Sequence, residues 1–373
     1  MGEPFINPEK TITPLSDYQH IQKNTMVLPL RSMVTHFSPE LESYYRSIKG
    51  IDTLTYEIVR DIDTCRLLWQ EFSPNRSIFD IWDFRYTYWL GYRYEPYFIL
   101  LRDAEPLGVL PLWYNDDLKQ YEWFGGLYPE DNTFFVKDPL YIPLLLSLAP
   151  PQTILTGILL PDDIWYRKYI SFENDDPKYV LSLEKMRSLD DYFMSFTKKT
   201  RYNLKHDRDR ILQHNPTFRI NEKSDLYELI RLNNEHYHAL GEDTGWEDPR
   251  RIATYEFIAD LDSKKEGFET KIITLLIDGV VASVELATIT KDIYTVMKCG
   301  HENKRFPGIG NYAMLLNIED SITMGRKYVD YLQESYGYKE RYFDPISLYK
   351  YASPGYQQPI DVPKIPIVPS PAL

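Results

Sequence analysis

The chain has 373 residues, of which 43% are hydrophobic and 15% aromatic, so we expect two domains rather than one. Its 55 acidic and 42 basic residues give a net charge of −13, which argues against broad nucleic-acid binding, because that needs a basic surface. No apolar run reaches the roughly eighteen residues of a membrane span. The two cysteines, Cys65 and Cys299, make no disulfide framework and fit a cytoplasmic location.

In the first half of the chain we expect an N-terminal arm, residues 1–50, which ends in a short helix. Strands and helices follow this arm. Apolar spacing and turn residues predict strands at 53–59, 97–101, 107–113 and 120–124, and helices at 62–72 and 78–91. Leucine- and proline-rich residues 139–158 predict helix and strand pieces. An acidic, proline-containing stretch, Asp175-Asp176-Pro177, suits a boundary between two lobes.

The second half predicts a basic helix at 197–210, a helix from Asp225 capped by Ser224, and a helix starting at Pro249. Strands at 269–277 and 280–289 are joined by Asp278-Gly279, a strong signal for a two-residue hairpin turn. A strand at 293–299, a helix at 311–324 and a strand at 327–332 follow. Residues 353–373 form a proline-rich tail without a regular element.

The segment Arg305-Phe306-Pro307-Gly308-Ile309-Gly310 has the pattern R-x-x-G-x-G between a predicted strand and a predicted helix. A glycine-rich turn at a helix N-terminus presents free backbone N–H groups and the positive end of the helix dipole, which suit a phosphate. Glycine is needed there because a Cβ blocks close approach of the backbone to a ligand. We therefore expect Gly308→Val to hinder phosphate binding and to leave the fold mostly intact.

The order strand, R-x-x-G-x-G, helix, strand and Tyr338-Lys339 resembles the acyl-CoA site of the GNAT acyltransferase superfamily. Within that superfamily the chain looks most like the FemAB-like and CelD (BcsL)-type branch. Leu110-Pro111-Leu112 and the basic helix at 197–210 resemble further segments of the same branch.

The resemblance implies an α/β (α+β) fold of two tandem GNAT-like lobes, each a mixed, mostly antiparallel sheet flanked by helices. We expect a degenerate N-terminal lobe at 51–175 and an acyltransferase lobe at 176–352, with the active cleft of the second lobe facing the first. The implied reaction is direct transfer of an acyl group from acetyl-CoA or another acyl-CoA to a small-molecule amine acceptor, such as an amino sugar, a peptide or an amino-lipid. The implied cofactor-binding residues are Met297, Cys299, Arg305, Gly308, Ile309, Gly310 and Asn311.

Transfer to an amine needs removal of a proton from the amine and stabilisation of an oxyanion. Candidate bases are Glu285, which lies mid-strand among apolar neighbours, and His236. His238 lies two residues after His236 and points to a different helix face, so at most one of the two faces the cleft. His301, beside the glycine-rich turn, is a weaker candidate. By resemblance, Lys339 stabilises negative charge near the acyl group, and Tyr338 protonates the leaving thiolate. Each of these residues also has an ordinary interpretation, as a packing histidine, a surface lysine or a solvent-facing glutamate.

Two alternatives to an acyl-CoA-dependent enzyme stay open at this point. The basic run around Lys198 and Arg210 also suits the phosphates of an aminoacyl-tRNA donor, as in Fem-type transferases, although no long coiled-coil arm is predicted. The second alternative is a binding protein that keeps the fold without catalysing a reaction.

We predict no metal site, because no metal-binding motif appears, and we interpret Cys299 as structural because no paired histidine is evident. Asp330 is either a satisfied turn residue or part of the acceptor site.

Overall fold

The computed structural model describes residues 28–29, 38–47, 50–160, 164–261, 267–333 and 337–358. Most of the predicted N-terminal arm and residues 359–373 of the predicted tail lie outside these ranges. Within the described part, every helix is too short or too polar to cross a bilayer.

The first half forms an antiparallel sheet with helices on both faces. Its helices are α1 (Pro39–Ser47), α2 (Ile62–Phe72), α3 (Trp82–Tyr92) and α4 (Ile142–Leu148). Its strands are β1 (Leu28–Pro29), β2 (Thr55–Val59), β3 (Glu95–Arg102), β4 (Pro106–Asn115), β5 (Gln120–Trp123), β6 (Phe135–Val136) and β7 (Ile154–Ile158). Strands β1 to β5 lie side by side in chain order, with β6 paired to β4.

The predicted helix at 78–91 is wrong at its start, because Ile78–Asp80 form a separate 3₁₀ turn before α3. The Asp80 carbonyl oxygen accepts hydrogen bonds from the Trp69 indole and the Ser73 hydroxyl. These tertiary contacts occupy a carbonyl that a continuous helix would use internally.

The second half forms a seven-stranded sheet in the order β10-β11-β12-β13-β14-β9-β15. The strands of this sheet are β9 (Lys178–Ser182), β10 (Thr217–Ile220), β11 (Phe268–Ile277), β12 (Val280–Thr290), β13 (Ile293–His301), β14 (Tyr328–Gln333) and β15 (Asp344–Ile346). Two further strands of the second half, β8 (Glu173–Asn174) and β16 (Tyr349–Ala352), lie outside it. The helices of the second half are α5 (Leu189–Met194), α6 (Lys198–Leu212), α7 (Asp225–His238), α8 (Pro249–Asp260), α9 (Ile309–Thr323) and α10 (Lys339–Tyr342). β13 and β14 pair in parallel, as expected for strands joined by a helix.

Ser224 precedes α7 as predicted, but it does not cap the helix. Its backbone is already helical, and its hydroxyl donates to Glu222 over 2.8 Å. The carboxylate of Glu222 therefore competes with the helix N-terminus for this side chain.

The mixed, mostly antiparallel α/β fold predicted from the sequence is confirmed. The division at residues 175 and 176 stays a prediction. The two large sheets lie on either side of it, but β16 returns to pair with β7 and β8 in a third, small sheet.

Helices α2 and α3 of the first half share one apolar core with α7 and α8 of the second half. This core contains Trp69 and Phe98 from the first half and Leu229, Val284 and Met297 from the second. A different core, which contains Ala287, Tyr294 and Ile318, lies under α9 on the other face of the second sheet. The second sheet thus has one face toward the first half and one toward α9.

Candidate functional site

Strands β13 and β14 separate part-way along their length. Their parallel pairing runs from Ile293 opposite Tyr328 to Thr295 opposite Asp330. Among the described residues the pairing stops there, although β13 continues to His301 and β14 to Gln333. Beyond this point the facing edges of β13 and β14 no longer pair with each other, which leaves a gap between the two strands.

A bulge interrupts β13 at the same place. Leu286 of β12 pairs with Lys298 and the next residue, Ala287, pairs with Val296, so Met297 is an extra residue in the ladder. A bulge leaves its extra residue without a regular ladder partner and increases the local twist. The Met297 side chain packs in the core shared by the two halves.

The bulge decides which side chains share a face with Glu285. Beyond it Glu285 lies opposite Cys299, and Ser283 lies opposite His301. Directly opposite residues point to the same side of a sheet. Without the bulge, Lys298 and Gly300 would take those two positions. The extra residue therefore brings Cys299 and His301 beside Glu285, on the α9 face of the sheet.

Glu285 and His301 form a buried hydrogen-bonded pair. The Nε2 of His301 lies 2.6 Å from Oε1 of Glu285, and both side chains are 5% exposed. An ionised carboxylate only accepts hydrogen bonds, so Nε2 carries the proton and Nδ1 is the imine nitrogen. This Nδ1 atom is buried and has no hydrogen-bond partner among the described residues. The pair thus combines an oriented imidazole with an open basic nitrogen.

The remaining contacts of Glu285 fix it in place. The Ser283 hydroxyl donates to Oε1 over 3.2 Å and the Asn317 amide donates to Oε2 over 3.2 Å. Asn317, on α9, also contacts the hydroxyls of Tyr294 and Tyr331 at 3.3 Å each. Burial raises the pKa of both tyrosines, so their hydroxyls stay protonated at neutral pH.

Glu285, Cys299 and His301 each place a possible metal-ligand atom within 4.8 Å of the others. The sequence predicted neither this cluster nor a histidine near Cys299, so the premise for interpreting Cys299 as structural was wrong. The hydrogen bond between Glu285 and His301 accounts for the proximity of those two groups without an ion.

The glycine-rich turn lies at the N-terminus of α9, as predicted, with Gly308 as the N-cap at φ +88°. Asp207 and Arg210 of α6 face it: Asp207 accepts from the Asn311 amide over 2.7 Å and from Arg210 over 2.6 Å. A Cβ at Gly308 would lie 2.6 Å from Nη2 of Arg210 and 2.9 Å from Oδ1 of Asp207.

That Gly308→Val leaves the fold mostly intact stays a prediction, but the substitution has a local cost in this structure. A valine there would be strained by the positive φ and would also displace the two α6 side chains. Of the other predicted loop residues, Ile309 and Gly310 are buried, whereas Arg305 is exposed with its guanidinium 5.2 Å from the Phe306 ring centre.

Lys339 is not an ordinary surface lysine. Its side chain is buried, and Nζ donates to the carbonyl oxygens of Tyr331 over 2.7 Å and Gln333 over 2.5 Å. Tyr338 is also buried, at the N-cap of the short helix α10. The lysine charge therefore lies at the end of β14, next to the gap between β13 and β14.

His236 lies near the pair from the other side. It is half-buried near the end of α7. Burial and, to a smaller extent, repulsion from His301 lower the pKa of His236. The two histidines are thus close enough to interact electrostatically.

A buried ion network that the sequence did not predict lies at the end of β14. Lys178 of β9 donates to Asp131 over 2.7 Å and to Asp330 over 2.8 Å. Asp330 also accepts from the backbone N–H of Leu332, which has a φ of +61°. Asp330 is therefore a satisfied structural residue, and a strained backbone position lies beside the gap.

The orientation of the cleft stays a prediction, and the two parts of the candidate site have different neighbours. The Glu285–His301 pair faces α9, on the side of the sheet away from the core shared with the first half. The end of β14, in contrast, contacts the first half, because Glu130 accepts from the Gln333 backbone over 2.7 Å and Asp131 binds Lys178.

Residues 198–340 match the family model of the GNAT acetyltransferase domain. This part of the chain is therefore similar to a GNAT acetyltransferase domain, and every predicted catalytic and cofactor-binding residue lies within the matched range. Strands β9, β15 and β16 lie outside the matched range. No curated protein matches the sequence.

Solved structures are similar to this chain at low sequence identity. FemX is 12% identical over 79% of this chain and 97% of its own, with a TM-score of 0.52. L-PGS from Bacillus licheniformis is 10% identical over 79% of this chain and 92% of its own, with a TM-score of 0.48. A tandem GNAT protein from the clavulanic acid biosynthesis pathway is 11% identical over 82% and 100%, with a TM-score of 0.47.

Proposed function

We propose that the GNAT domain transfers an acyl group from the thioester of an acyl-CoA to a small-molecule amine, with His301 as the base and Glu285 as the residue that positions it. The observation that carries this proposal is the buried, unpartnered Nδ1 of His301, whose other nitrogen is held by Glu285. A buried nitrogen without a partner costs about 1–3 kcal/mol, so a substrate N–H is a natural complement to it.

The chemistry follows from these positions. Nδ1 of His301 takes a proton from the ammonium form of the acceptor, and the resulting neutral amine attacks the thioester carbonyl carbon. The attacking nitrogen releases its second proton to solvent. A C–N bond forms and, as the tetrahedral intermediate collapses, the C–S bond breaks. Backbone N–H groups at the Met297 bulge are candidates for the oxyanion contact, and the Lys339 ammonium adds positive charge at the neighbouring strand end. The thiolate takes a proton from the Tyr338 hydroxyl, which is later restored through solvent.

The phosphates of the donor are assigned to the N-terminus of α9, with Arg305 and Arg210 as the basic side chains beside it. Asp207 opposes this assignment, because its carboxylate lies beside Gly308 and Asn311. A donor pyrophosphate requires Asp207 to turn away, which would release Arg210 from its ion pair.

Binding of acyl-CoA is tested first by thermal unfolding with acetyl-CoA, longer acyl-CoAs and free CoA. A ligand present at one hundred times its dissociation constant adds about 2.7 kcal/mol of stability. We expect Asp207→Asn to tighten CoA binding and Arg210→Ala to weaken it, each by about fivefold, which corresponds to ~1 kcal/mol. Lys223→Ala, an exposed lysine paired with Asp260, is the control and should leave the affinity unchanged. Absence of any shift with wild-type protein would contradict CoA as the donor.

Asp207 also favours a second candidate, a Fem-type transfer from an aminoacyl-tRNA. A carboxylate at the glycine-rich turn disfavours a pyrophosphate, while the acyl-transfer chemistry of Glu285 and His301 needs only an activated ester. In that case aminoacyl-tRNA, and no form of CoA, should bind in filter-binding and thermal assays. Binding of neither donor, with full biological activity retained by Arg305→Ala, would indicate a protein without acyl transfer.

A further inference from the structure

A cavity of about 350 Å³ lies between the first sheet and the segment that joins α7 to α8. Small-molecule sites in proteins start at about 300 Å³, so this cavity has room for one small ligand. Its aromatic walls are Tyr92, Tyr94, Trp113 and Tyr128. None of the residues assigned to acyl transfer lines it.

The aromatic walls already hold one cation of the protein. The guanidinium of Arg250 lies 5.0 Å from the ring centre of Tyr92 and 6.0 Å from that of Tyr94. The Tyr94 and Trp113 rings meet edge to face at 5.1 Å, and the Tyr92 and Tyr128 hydroxyls are 2.6 Å apart. These contacts hold the aromatic side chains in place, and their ring faces attract positive charge.

The charge of the lining is strongly negative. Among the described residues that line the cavity, Arg250 is the one basic residue. Five lining residues carry carboxylates: Asp117, Glu122, Asp243, Glu247 and Asp248. Arg250 is paired with Asp117 and Asp248, each at 2.8 Å. Its charge therefore offsets the carboxylates at the rim and leaves Glu122 uncompensated.

Glu122 is buried, with 1% of its surface exposed, and its hydrogen bonds come from neutral groups. Gln120 donates over 2.5 Å, Asn115 over 3.1 Å and the Trp113 indole over 3.3 Å. No cationic side chain bonds to it among the described residues. Burial raises the pKa of Glu122, and the three neutral donors only partly oppose that effect. A charge that is costly to bury thus has no counterion from the protein.

Glycine at position 126 leaves space beside this carboxylate. Gly126 has a φ of +76°, and a Cβ there would lie 3.2 Å from Oε2 of Glu122 and 2.9 Å from the Trp113 ring. Oε2 has only two long contacts, both of 3.3 Å, so it can accept a further hydrogen bond or ion contact.

We propose that this cavity binds a small organic ammonium ion, with Glu122 as the counterion and the Tyr92, Tyr94, Trp113 and Tyr128 rings as the walls. The site is separate from the acyl-transfer residues, and the proposal does not depend on the proposed function.

The test is calorimetric titration of the full chain with three probes: choline, n-butylammonium and 3,3-dimethylbutan-1-ol, the neutral isostere of choline. We expect at least one cation to bind, and the neutral alcohol to bind at least tenfold more weakly. Preference for choline would indicate a quaternary ligand and preference for butylammonium a primary amine. Equal binding of choline and its neutral isostere, or no cation binding up to tens of millimolar, would overturn the proposal.

A matched pair of variants locates the site. Glu122→Gln keeps the shape of the side chain and removes its charge, so cation affinity should fall at least tenfold. Glu57→Gln makes the same change at a buried carboxylate of the same sheet that does not line the cavity, and the affinity should stay within twofold of wild type. Unchanged binding by Glu122→Gln would place the cation elsewhere. The wild-type comparison of choline with its isostere needs no variant, so it stands even if Glu122→Gln does not fold.

Discussion

Replacing His301 with alanine is expected to lower kcat/KM for acyl transfer by about 10²–10⁴-fold, the usual contribution of a positioned general base. Nδ1 is the atom in the Glu285 network that is open to a substrate proton, and alanine removes it. Steady-state kinetics with the acyl donor and amine acceptor identified by the binding assays measure the loss. Thermal unfolding of the variant separates it from a loss of folded protein.

Glu285→Gln is expected to have a smaller effect, about 10- to 100-fold, if Glu285 acts through His301 rather than on the substrate. The glutamine oxygen can still accept from Nε2 and preserve the tautomer, while the stabilising charge is lost. Ser283→Ala removes only a 3.2 Å hydrogen bond to the same carboxylate and should change kcat/KM by less than threefold. A Glu285→Gln loss larger than that of His301→Ala would make Glu285 the base.

Cys299→Ala separates direct transfer from a covalent mechanism, because Cys299 lies within 4.8 Å of both His301 and Glu285. Direct attack of the amine on the thioester predicts that this variant retains most of its activity. A loss comparable to that of His301→Ala, with an acyl group detected on the wild-type protein by mass spectrometry, would indicate a cysteine nucleophile instead.

Replacing Lys178 with methionine is expected to destabilise the protein by about 3–5 kcal/mol, because it leaves buried carboxylates without their counterion. Lys178 is 7% exposed, and its partners Asp131 and Asp330 are 4% and 3% exposed. Burial alone would lower the pKa of Lys178, but Asp330 and Asp131 together raise it above the ordinary lysine value. Its contribution is therefore complete at neutral pH and is lost only as the pH rises above about 10.4.

Urea unfolding, extrapolated linearly to water, measures this change. Lys205→Met removes an exposed lysine paired with Asp190 at 3.4 Å and serves as the control, with an expected change below about 1 kcal/mol. A loss of stability for Lys178→Met no larger than for Lys205→Met would show that the buried network contributes little. Because the network joins the first half to β9 and β14, the variant should also weaken donor binding at the gap.

Much of the secondary structure could be predicted because its signals are local. Helix α2 was predicted with its observed bounds, since Cys65, Leu68 and Trp69 recur at helical spacing. In the structure Asp61 caps this helix by accepting from the Thr64 backbone. The Asp278-Gly279 turn was predicted because both residues tolerate a positive φ, observed at +50° and +76°. The helix after the glycine-rich turn was predicted within two residues of its observed start.

The candidate site was predicted only in part. The glycine-rich turn follows from the order of strand, turn and helix, and Glu285 from its position mid-strand among apolar neighbours. Met297 and Cys299 were named only by the family resemblance, and the bulge at Met297 was not predicted. The Lys178 network was not predicted, because Asp131, Lys178 and Asp330 are far apart along the chain and meet only through strand pairing and packing. Asp207 was not predicted to lie at the glycine-rich turn, because no sequence pattern near residue 308 indicates that α6 packs on α9.

The sequence by itself determined most of the helices and strands and the residue types available for chemistry, since apolar periodicity and turn chemistry act within a few residues. The fold class followed from the family resemblance that the order of these elements carries. Only the tertiary structure decided which of those residues meet. One extra residue in β13, Met297, reverses the alternation of the strand and turns Cys299 and His301 toward Glu285. Side chains along a strand alternate with a period of two, so a shift of one residue moves every later side chain to the opposite face. The order of residue types in β13 does not indicate that such a shift occurs.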